Sequence, residues 1–319
     1  MAPQRAQADS ASGLASDGPL VIASSAWAQA FPNPVRLVLH AGTPKTGTTA
    51  LQQTLFRHVD ELAERGIWYP PARVEPQQKK HQFLVDLLLS ADRAGWARAF
   101  DEIVGSAPRG THTIVLSTEG LYNHWWDYPF EARAMIRQLG AAFGVEIWTC
   151  FREPLAFAVA QYAQLLRNPR THSPAYGLDV GLDEILENAW FVKRLDYLGF
   201  VLEVEALVGE RNVRLFRYGP DVVTRIFRAL GAEGPADVHT DVNPSLRGSG
   251  VELMRVVNRY DLPTEEKNAA SALVLDLDRL IGARAGPVRA GAEATRRIRQ
   301  LTARGWCAIE ARLDLDEER

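Results

Sequence analysis

The 319-residue chain has only two cysteines, Cys150 and Cys307, and they lie far apart. This pair gives neither the spacing of a zinc site nor a disulfide framework, so the sequence predicts no metal site and fits a reducing compartment. The chain also lacks any apolar run near the roughly 20 residues that a membrane-spanning helix needs. Its formal net charge of −3 provides no overall attraction to nucleic acids or anionic lipids. These absences predict a cytoplasmic protein that neither spans a membrane nor binds nucleic acid.

Residues 1–32 are rich in Ala, Ser, Gly, Gln and Asp, a composition typical of a flexible lead-in. Within it, Leu20–Ala23 and residues 26–28 resemble the apolar region and cleavage site of a secretory signal. The apolar run is short, however, and aspartates precede it where positive charge is expected. We therefore favour the cytoplasm over export and expect one domain at residues 33–319.

Apolar runs typical of buried strands alternate with helical patterns along the chain. The predicted strands are Val35–Leu39, Ile67–Tyr69, Thr113–Leu116, Ile147–Phe151 and Val213–Phe216. The alternation predicts an α/β fold of three layers, α/β/α, with a central parallel sheet. Beyond about residue 243 the pattern becomes helical, which predicts a C-terminal helical layer. Ligands of such sheets bind at the carboxyl ends of the strands, so we expect the turns at 40–42, 117–119 and 152–154 to face one crevice.

The most informative segment is the Gly- and Thr-rich turn between the first predicted strand and a helix. Measured against the P-loop pattern G-x-x-x-x-G-K-[ST], the chain keeps Gly42, Gly47 and Thr49, but Thr48 replaces the lysine. The only cation of the turn is Lys45, three residues earlier. The pattern predicts a P-loop NTPase-like turn that holds phosphate through backbone N–H groups, with its charge displaced.

Pro44–Thr49 resembles the 5′-phosphosulfate-binding loop of sulfotransferases that use 3′-phosphoadenosine 5′-phosphosulfate (PAPS), whose lysine also precedes the second glycine. The resemblance implies PAPS as co-substrate, no required metal, and Lys45 beside the bridging oxygen of the phosphosulfate, where it offsets charge on the leaving phosphate. The implied donor-binding residues of the loop are Gly42, Thr43, Pro44, Lys45, Thr46, Gly47, Thr48 and Thr49.

A second segment, Cys150–Tyr162, is similar to the segment that binds the 3′-phosphate in the same family. Arg152 and Pro154 match the family pattern, whereas Ala160 occupies the position of a serine. The missing hydroxyl costs on the order of 1 kcal/mol of donor binding. An alternative interpretation is that Arg152 caps the carboxyl edge of the sheet or pairs with Glu153.

Looser matches lie in the second half of the chain. By analogy with the family, Tyr218 contacts the adenine, and Ser245 or Arg247 closes over the 3′-phosphate. The alternatives are a plain core or rim aromatic for Tyr218 and a capped helix start with a solvated arginine for the other two.

Sulfuryl transfer also needs a general base near the acceptor. Glu119, at the end of a predicted strand, and His81, at a predicted helix start, both qualify, and each has a structural alternative. Trp125 and Trp126 are candidates for stacking on a sugar ring or for ordinary packing, so we expect a small-molecule or glycan acceptor.

The sequence therefore predicts a PAPS-dependent sulfotransferase and makes no prediction of oligomeric state. One alternative is a P-loop NTPase or kinase with a degenerate phosphate-binding loop, in which Glu119 holds the metal. Another is a nucleotide-binding relative without turnover, which Ala160 suggests.

Overall fold

The computed structural model describes residues 26–77, 79–170, 175–235, 238 and 246–317. Five strands form one sheet in the order β2-β3-β1-β4-β5, and every neighbouring pair is parallel. The strands are β1 (Val35–His40), β2 (Ile67–Trp68), β3 (Thr113–Ser117), β4 (Phe143–Phe151) and β5 (Val213–Arg217). All five predicted strands and the parallel α/β/α fold are confirmed. The main difference is β4, which begins at Phe143 rather than at Ile147.

Helices connect the strands and follow the sheet. In chain order they are α1 (Thr48–Arg57), α2 (Val59–Glu64), α3 (Phe83–Leu89), α4 (Arg93–Ser106), α5 (Gly120–Asn123), α6 (Phe130–Leu139), α7 (Pro154–Arg167), α8 (Leu182–Ile185), α9 (Ala189–Lys193), α10 (Tyr197–Val208), α11 (Val222–Leu230), α12 (Gly248–Val257), α13 (Thr264–Ala285) and α14 (Ala292–Glu317). The last three form the predicted C-terminal helical layer, in which α14 packs on α7, α10 and β5. Within the described ranges, no helix is both long and apolar enough to cross a membrane.

Both faces of the sheet are buried. On one face Val38, Trp148 and Phe216 pack with α1 and α11. On the other face Leu37 and Phe151 pack with α3, α4, α6, α7 and α10. Since helices cover both sides, neither face needs polar residues, and the strands read as continuous apolar runs.

The folded region begins before the predicted boundary at residue 33. Trp27 lies in a helical turn at 26–29, is only 2% exposed, and stacks on Phe143 while its Nε1 donates to Asp101 at 2.6 Å. Trp27 belongs to the same buried cluster as Leu313, near the other end of the chain. The prediction of a lead-in over residues 1–32 is therefore wrong at its C-terminal end, because an aromatic side chain in a polar segment packs on the core.

The strand order creates a crevice between β1 and β4. From β1 the chain runs toward the β2 edge of the sheet, whereas from β4 it runs toward the β5 edge. Adjacent parallel strands whose connections diverge in this way open a crevice at their carboxyl ends. The Gly-rich turn follows β1 and Arg152 follows β4, so the topology brings both predicted donor segments to this crevice.

Two glycine substitutions test how helix α3 supports the turn after β3. A Cβ atom at Gly120 would lie 2.4 Å from Cγ2 of the buried Val85, whereas a Cβ atom at the exposed Gly105, in α4, meets no atom within 4 Å. Gly120→Ala should lower the free energy of unfolding by about 1–3 kcal/mol through overpacking. Gly105→Ala should raise it by about 0.5 kcal/mol, because alanine favours the helix. Urea denaturation measures both, and equal stability of the two variants would contradict this packing.

Candidate functional site

The turn after β1 contains two left-handed residues, a feature that it shares with anion-binding loops. Lys45 and Gly47 adopt left-handed conformations, with φ of 64° and 80°. Pro44, before them, has its φ fixed near about −65° by its ring. Alternation of right- and left-handed residues turns successive N–H groups toward one side of the backbone. Helix α1 then begins with no side-chain cap and no acidic residue in its first turn, so the positive end of its dipole faces this loop.

Threonine hydroxyls hold the loop against β4. Thr43 Oγ1 donates to the carbonyl of Cys150 at 2.7 Å, and Thr46 Oγ1 donates to the carbonyl of Thr43 at 2.5 Å. Thr48 Oγ1 also points to the Thr43 carbonyl, at 3.5 Å. The hydroxyls of Thr43 and Thr46 therefore shape the loop rather than face a ligand. Thr48 would have to leave a long, weak bond to donate to a phosphate.

Lys45 is half-buried among other charged groups. Burial, followed by the charge of Arg167, lowers the pKa of Lys45 to about 8; Glu119 opposes the shift and Arg152 adds to it. Across the described residues, no hydrogen bond or ion pair holds the Lys45 ammonium group. The charges of two arginines and one carboxylate thus act on Lys45, and a bound anion would favour its protonated form.

Arg152 and Tyr218 complete this cluster from the ends of β4 and β5. The Arg152 guanidinium carbon lies 5.2 Å from the centroid of the Tyr218 ring, and the Tyr218 N–H donates to the carbonyl of Phe151 at 2.7 Å. A Cβ atom placed on Gly47 would lie 3.8 Å from the Tyr218 ring, so the tyrosine borders the loop. Tyr218 is 38% exposed, which makes it a rim aromatic beside the predicted nucleotide site.

The alternative pairing of Arg152 with Glu153 is not observed. The Glu153 carboxylate caps helix α7 instead, and accepts the N–H groups of Leu155 at 3.1 Å and Ala156 at 2.7 Å. Within the part of the chain that the structure describes, no ion pair holds Arg152. Further along α7, Ala160 is buried. As alanine it has no hydroxyl to offer at the position where the family has a serine.

Glu119 lies at the carboxyl end of β3 in a polar network. Its carboxylate accepts from Gln52 Nε2 at 3.2 Å and from Lys80 Nζ at 3.3 Å, and its side chain is 26% exposed. Gln52 Nε2 also reaches Ser117 Oγ at 3.3 Å, and Ser117 Oγ lies 2.8 Å from His40 Nδ1. The network orients the Glu119 carboxylate and leaves part of it accessible.

His81 has no nitrogen available for catalysis. It is fully buried, its Nδ1 accepts from the Ser117 N–H at 3.1 Å, and its Nε2 lies 3.2 Å from the Pro70 carbonyl. Since Nδ1 accepts, Nε2 carries the proton and donates to Pro70. Burial lowers the pKa of His81 to about 4, against the two backbone hydrogen bonds. We therefore correct the prediction of His81 as a general base: it links β3 to the Pro70 turn, and Glu119 is the better candidate.

The tryptophan pair is packed rather than presented to a ligand. Trp125 is 2% exposed and meets Phe200 edge-on at 5.3 Å, while Trp126 is half-buried and meets Tyr122 at 5.6 Å. The Arg194 guanidinium covers the Trp126 ring. The prediction that these rings stack on a sugar is therefore not supported, and the pair belongs to the core under α10.

The two late candidates have different outcomes. Ser245 lies outside the described residues. Arg247 is exposed, and its N–H donates to the Asp278 carboxylate at 2.7 Å, as does the N–H of Gly250 at 2.9 Å. Helix α12 is therefore capped by an aspartate from α13, in agreement with the alternative of a capped helix start. A role of Ser245 or Arg247 at the 3′-phosphate stays a prediction.

Sequence reasoning missed Arg167, Gln52 and Lys80. Gln52 lies one helical turn after Thr48 on α1, and this spacing signals a shared helix face. Arg167 ends α7, and no sequence motif connects it with Lys45, because its proximity arises only from how α7 packs along the sheet.

Comparison of the chain with models of known protein families, with curated proteins and with solved structures found no match. Inferences about function therefore depend on the geometry of this site and on the resemblance of its short motifs.

The buried histidines predict how stability depends on pH. Burial lowers the pKa values of His40 and His81 to about 4, although Glu119 opposes the shift at His40. Both rings are neutral in the folded state, so their stabilisation is complete above about pH 6.5 and is lost as the pH falls toward 4. Each should contribute a slope of about 1.4 kcal/mol per pH unit in that window. Urea denaturation from pH 7 to 4.5 should show a shallower slope for His81→Gln than for the wild type, and an unchanged slope would contradict the neutral buried ring.

Proposed function

We propose that this chain is a PAPS-dependent sulfotransferase. The observation that carries the proposal is the cluster at the β1–β4 crevice, where Lys45 lies near Arg152 and Glu119 in front of the uncapped helix α1. A PAPS molecule carries anionic groups at both ends of its ribose. The loop and Lys45 suit the phosphosulfate, and Arg152 suits the 3′-phosphate. In this proposal Tyr218, whose ring lies against Arg152, contacts the adenine.

The proposed reaction is an in-line displacement at sulfur. The acceptor oxygen or nitrogen forms a bond to sulfur while the bond between sulfur and the bridging oxygen breaks, and the electron pair of the broken bond stays on the bridging oxygen. The product nucleotide is adenosine 3′,5′-bisphosphate. Lys45 stabilises the charge that grows on the bridging oxygen, and Glu119 takes the proton of the acceptor hydroxyl or amine.

The surroundings of Glu119 favour this role over metal binding in an NTPase. Its carboxylate accepts from Gln52 and Lys80, two donors that would compete with a metal ion for the same oxygens. The proposed acceptor is a small molecule or a glycan. Because Trp125 and Trp126 are packed in the core, they give no reason to prefer a glycan.

Ligand binding tests the class of the protein directly. Adenosine 3′,5′-bisphosphate without metal should raise the thermal midpoint in proportion to the logarithm of its concentration, because it binds only the folded state. A shift with ATP and Mg²⁺ alone would favour an NTPase. Binding of the bisphosphate with no transfer to a broad panel of acceptors would favour a relative without turnover.

The titration of Lys45 should appear in the affinity for the bisphosphate. Burial and neighbouring cations set the pKa of the unliganded group at about 8, and a bound phosphate favours its protonated form. Affinity should therefore be constant below pH 8 and fall by up to about tenfold per unit above it. Calorimetry between pH 7 and 9.5 measures this, and Lys45→Arg, whose guanidinium stays charged, should remove the loss. A flat wild-type profile would contradict an anion contact by Lys45.

Replacement of Glu119 separates proton transfer from donor binding. Glu119→Gln keeps the size of the side chain but cannot accept the proton, so turnover should fall by about 10²–10⁴-fold. The dissociation constant of the bisphosphate should change little. The control is Glu252→Gln, at an exposed carboxylate that pairs with Arg255 on α12 and should retain turnover. Turnover of Glu119→Gln within a few fold of wild type would exclude Glu119 as the base.

A further inference from the structure

A cavity of about 330 Å³ lies where the end of α7 meets the turn between α12 and α13. Its lining includes Arg170, Asn258, Tyr260, Asp261, Pro263 and Lys267. The proposed PAPS cluster, which consists of Lys45, Glu119, Arg152 and Arg167, does not line it. Its volume lies at the lower end of the about 300–1,000 Å³ typical of small-molecule sites.

Lys267 is the unusual member of this lining. The residue is 6% exposed, yet within the described ranges no carboxylate or carbonyl accepts from its ammonium group. Burial, followed by the like charge of Arg170, lowers the pKa of Lys267 to about 8. Buried lysines are nearly always paired with an opposite charge. Lys267 is an exception, because no described residue neutralises its charge.

Arg170 is held in place beside the cavity by backbone carbonyls. Its Nε donates to Gly177 at 3.1 Å and its Nη2 donates to Asn258 at 2.9 Å. Neutral carbonyls fix the guanidinium without cancelling its charge. As far as the structure describes the chain, no carboxylate pairs with it. Asp261, the acidic residue of the lining, is exposed.

The start of helix α13 adds a third positive element. Pro263 and Thr264 line the cavity, and this 22-residue helix has no side-chain cap. Its first-turn N–H groups and its dipole therefore favour an anion at the same place as Lys267. The acidic residues of that turn, Glu265 and Glu266, are exposed and do not line the cavity.

We propose that this cavity is a binding site for a small phosphate monoester. Arg170, Lys267 and the start of α13 hold the phosphate, whose double charge matches two cations and a helix terminus. The cavity has more room than one phosphate fills, and Tyr260 and Pro263 offer apolar surface to an organic group. This site is independent of the proposed sulfotransferase activity.

The site also adjoins the PAPS cluster. Arg167, which acts on Lys45, lies three residues before Arg170, and its Nε donates at 3.3 Å to Ser271, one helical turn after Lys267 on α13. A ligand between Arg170 and Lys267 therefore binds the two chain segments that also position Arg167.

Calorimetry on the full chain tests the site, with phenyl phosphate and benzoate as probes. The titrations use the Lys45→Ala background, so that the loop after β1 contributes no lysine and failure of one proposal is distinguishable from failure of the other. Phenyl phosphate should bind at least tenfold more tightly than benzoate. Lys267→Met should weaken phenyl phosphate binding at least tenfold, while the control Lys193→Met, at a surface ion pair, should leave it unchanged.

Thermal unfolding without ligand separates a binding role of Lys267 from a structural one. Removal of an unneutralised buried cation should leave the midpoint of Lys267→Met equal to or above that of its parent. A lower midpoint with unchanged phenyl phosphate binding would identify a structural lysine and overturn the proposal. No detectable binding of phenyl phosphate, or equal affinity for benzoate, would also overturn it.

Discussion

The proposed chemistry depends on the burial of a lysine among like charges. The Lys45 ammonium group is half-buried close to Arg152 and Arg167, and the Glu119 carboxylate is the opposite charge that acts on it. This environment disfavours the charged form of Lys45 unless an anion binds, because its ammonium group loses hydration and, among the described residues, no hydrogen bond or ion pair holds it. The energy released when an anion arrives favours binding, and the same charges then favour a transition state in which the leaving group becomes more negative.

Sheet topology, rather than sequence proximity, assembles these charges. Strands β1 and β4 are neighbours although more than 100 residues separate them, and their connections diverge to opposite sides of the sheet. Thr43 fixes the loop to the carboxyl end of β4 through its hydrogen bond to the Cys150 carbonyl. A change that shifts this bond should move Lys45 relative to Arg152, so the threonine positions the site without facing a ligand.

The fold was accessible from sequence because a parallel sheet covered on both faces requires continuous apolar strands, and all five were visible. The loop and Arg152 were accessible because strand ends and glycine positions follow simple rules. The role of His81 was not, because its type and its place before a helix suggested chemistry while its burial and its bonds to Ser117 and Pro70 depend on distant packing. Trp27, Trp125 and Lys267 show the same limit: the sequence gives no direct signal of which face of a segment is buried.

The most direct test is to measure the pKa of Lys45 itself, by NMR titration of its labelled side chain with and without adenosine 3′,5′-bisphosphate. The geometry predicts a value of about 8 in the unliganded protein and a clear rise when the bisphosphate binds. An ordinary lysine value near about 10.4 that the nucleotide does not change would show that the ammonium group is neither buried among cations nor in contact with the anion.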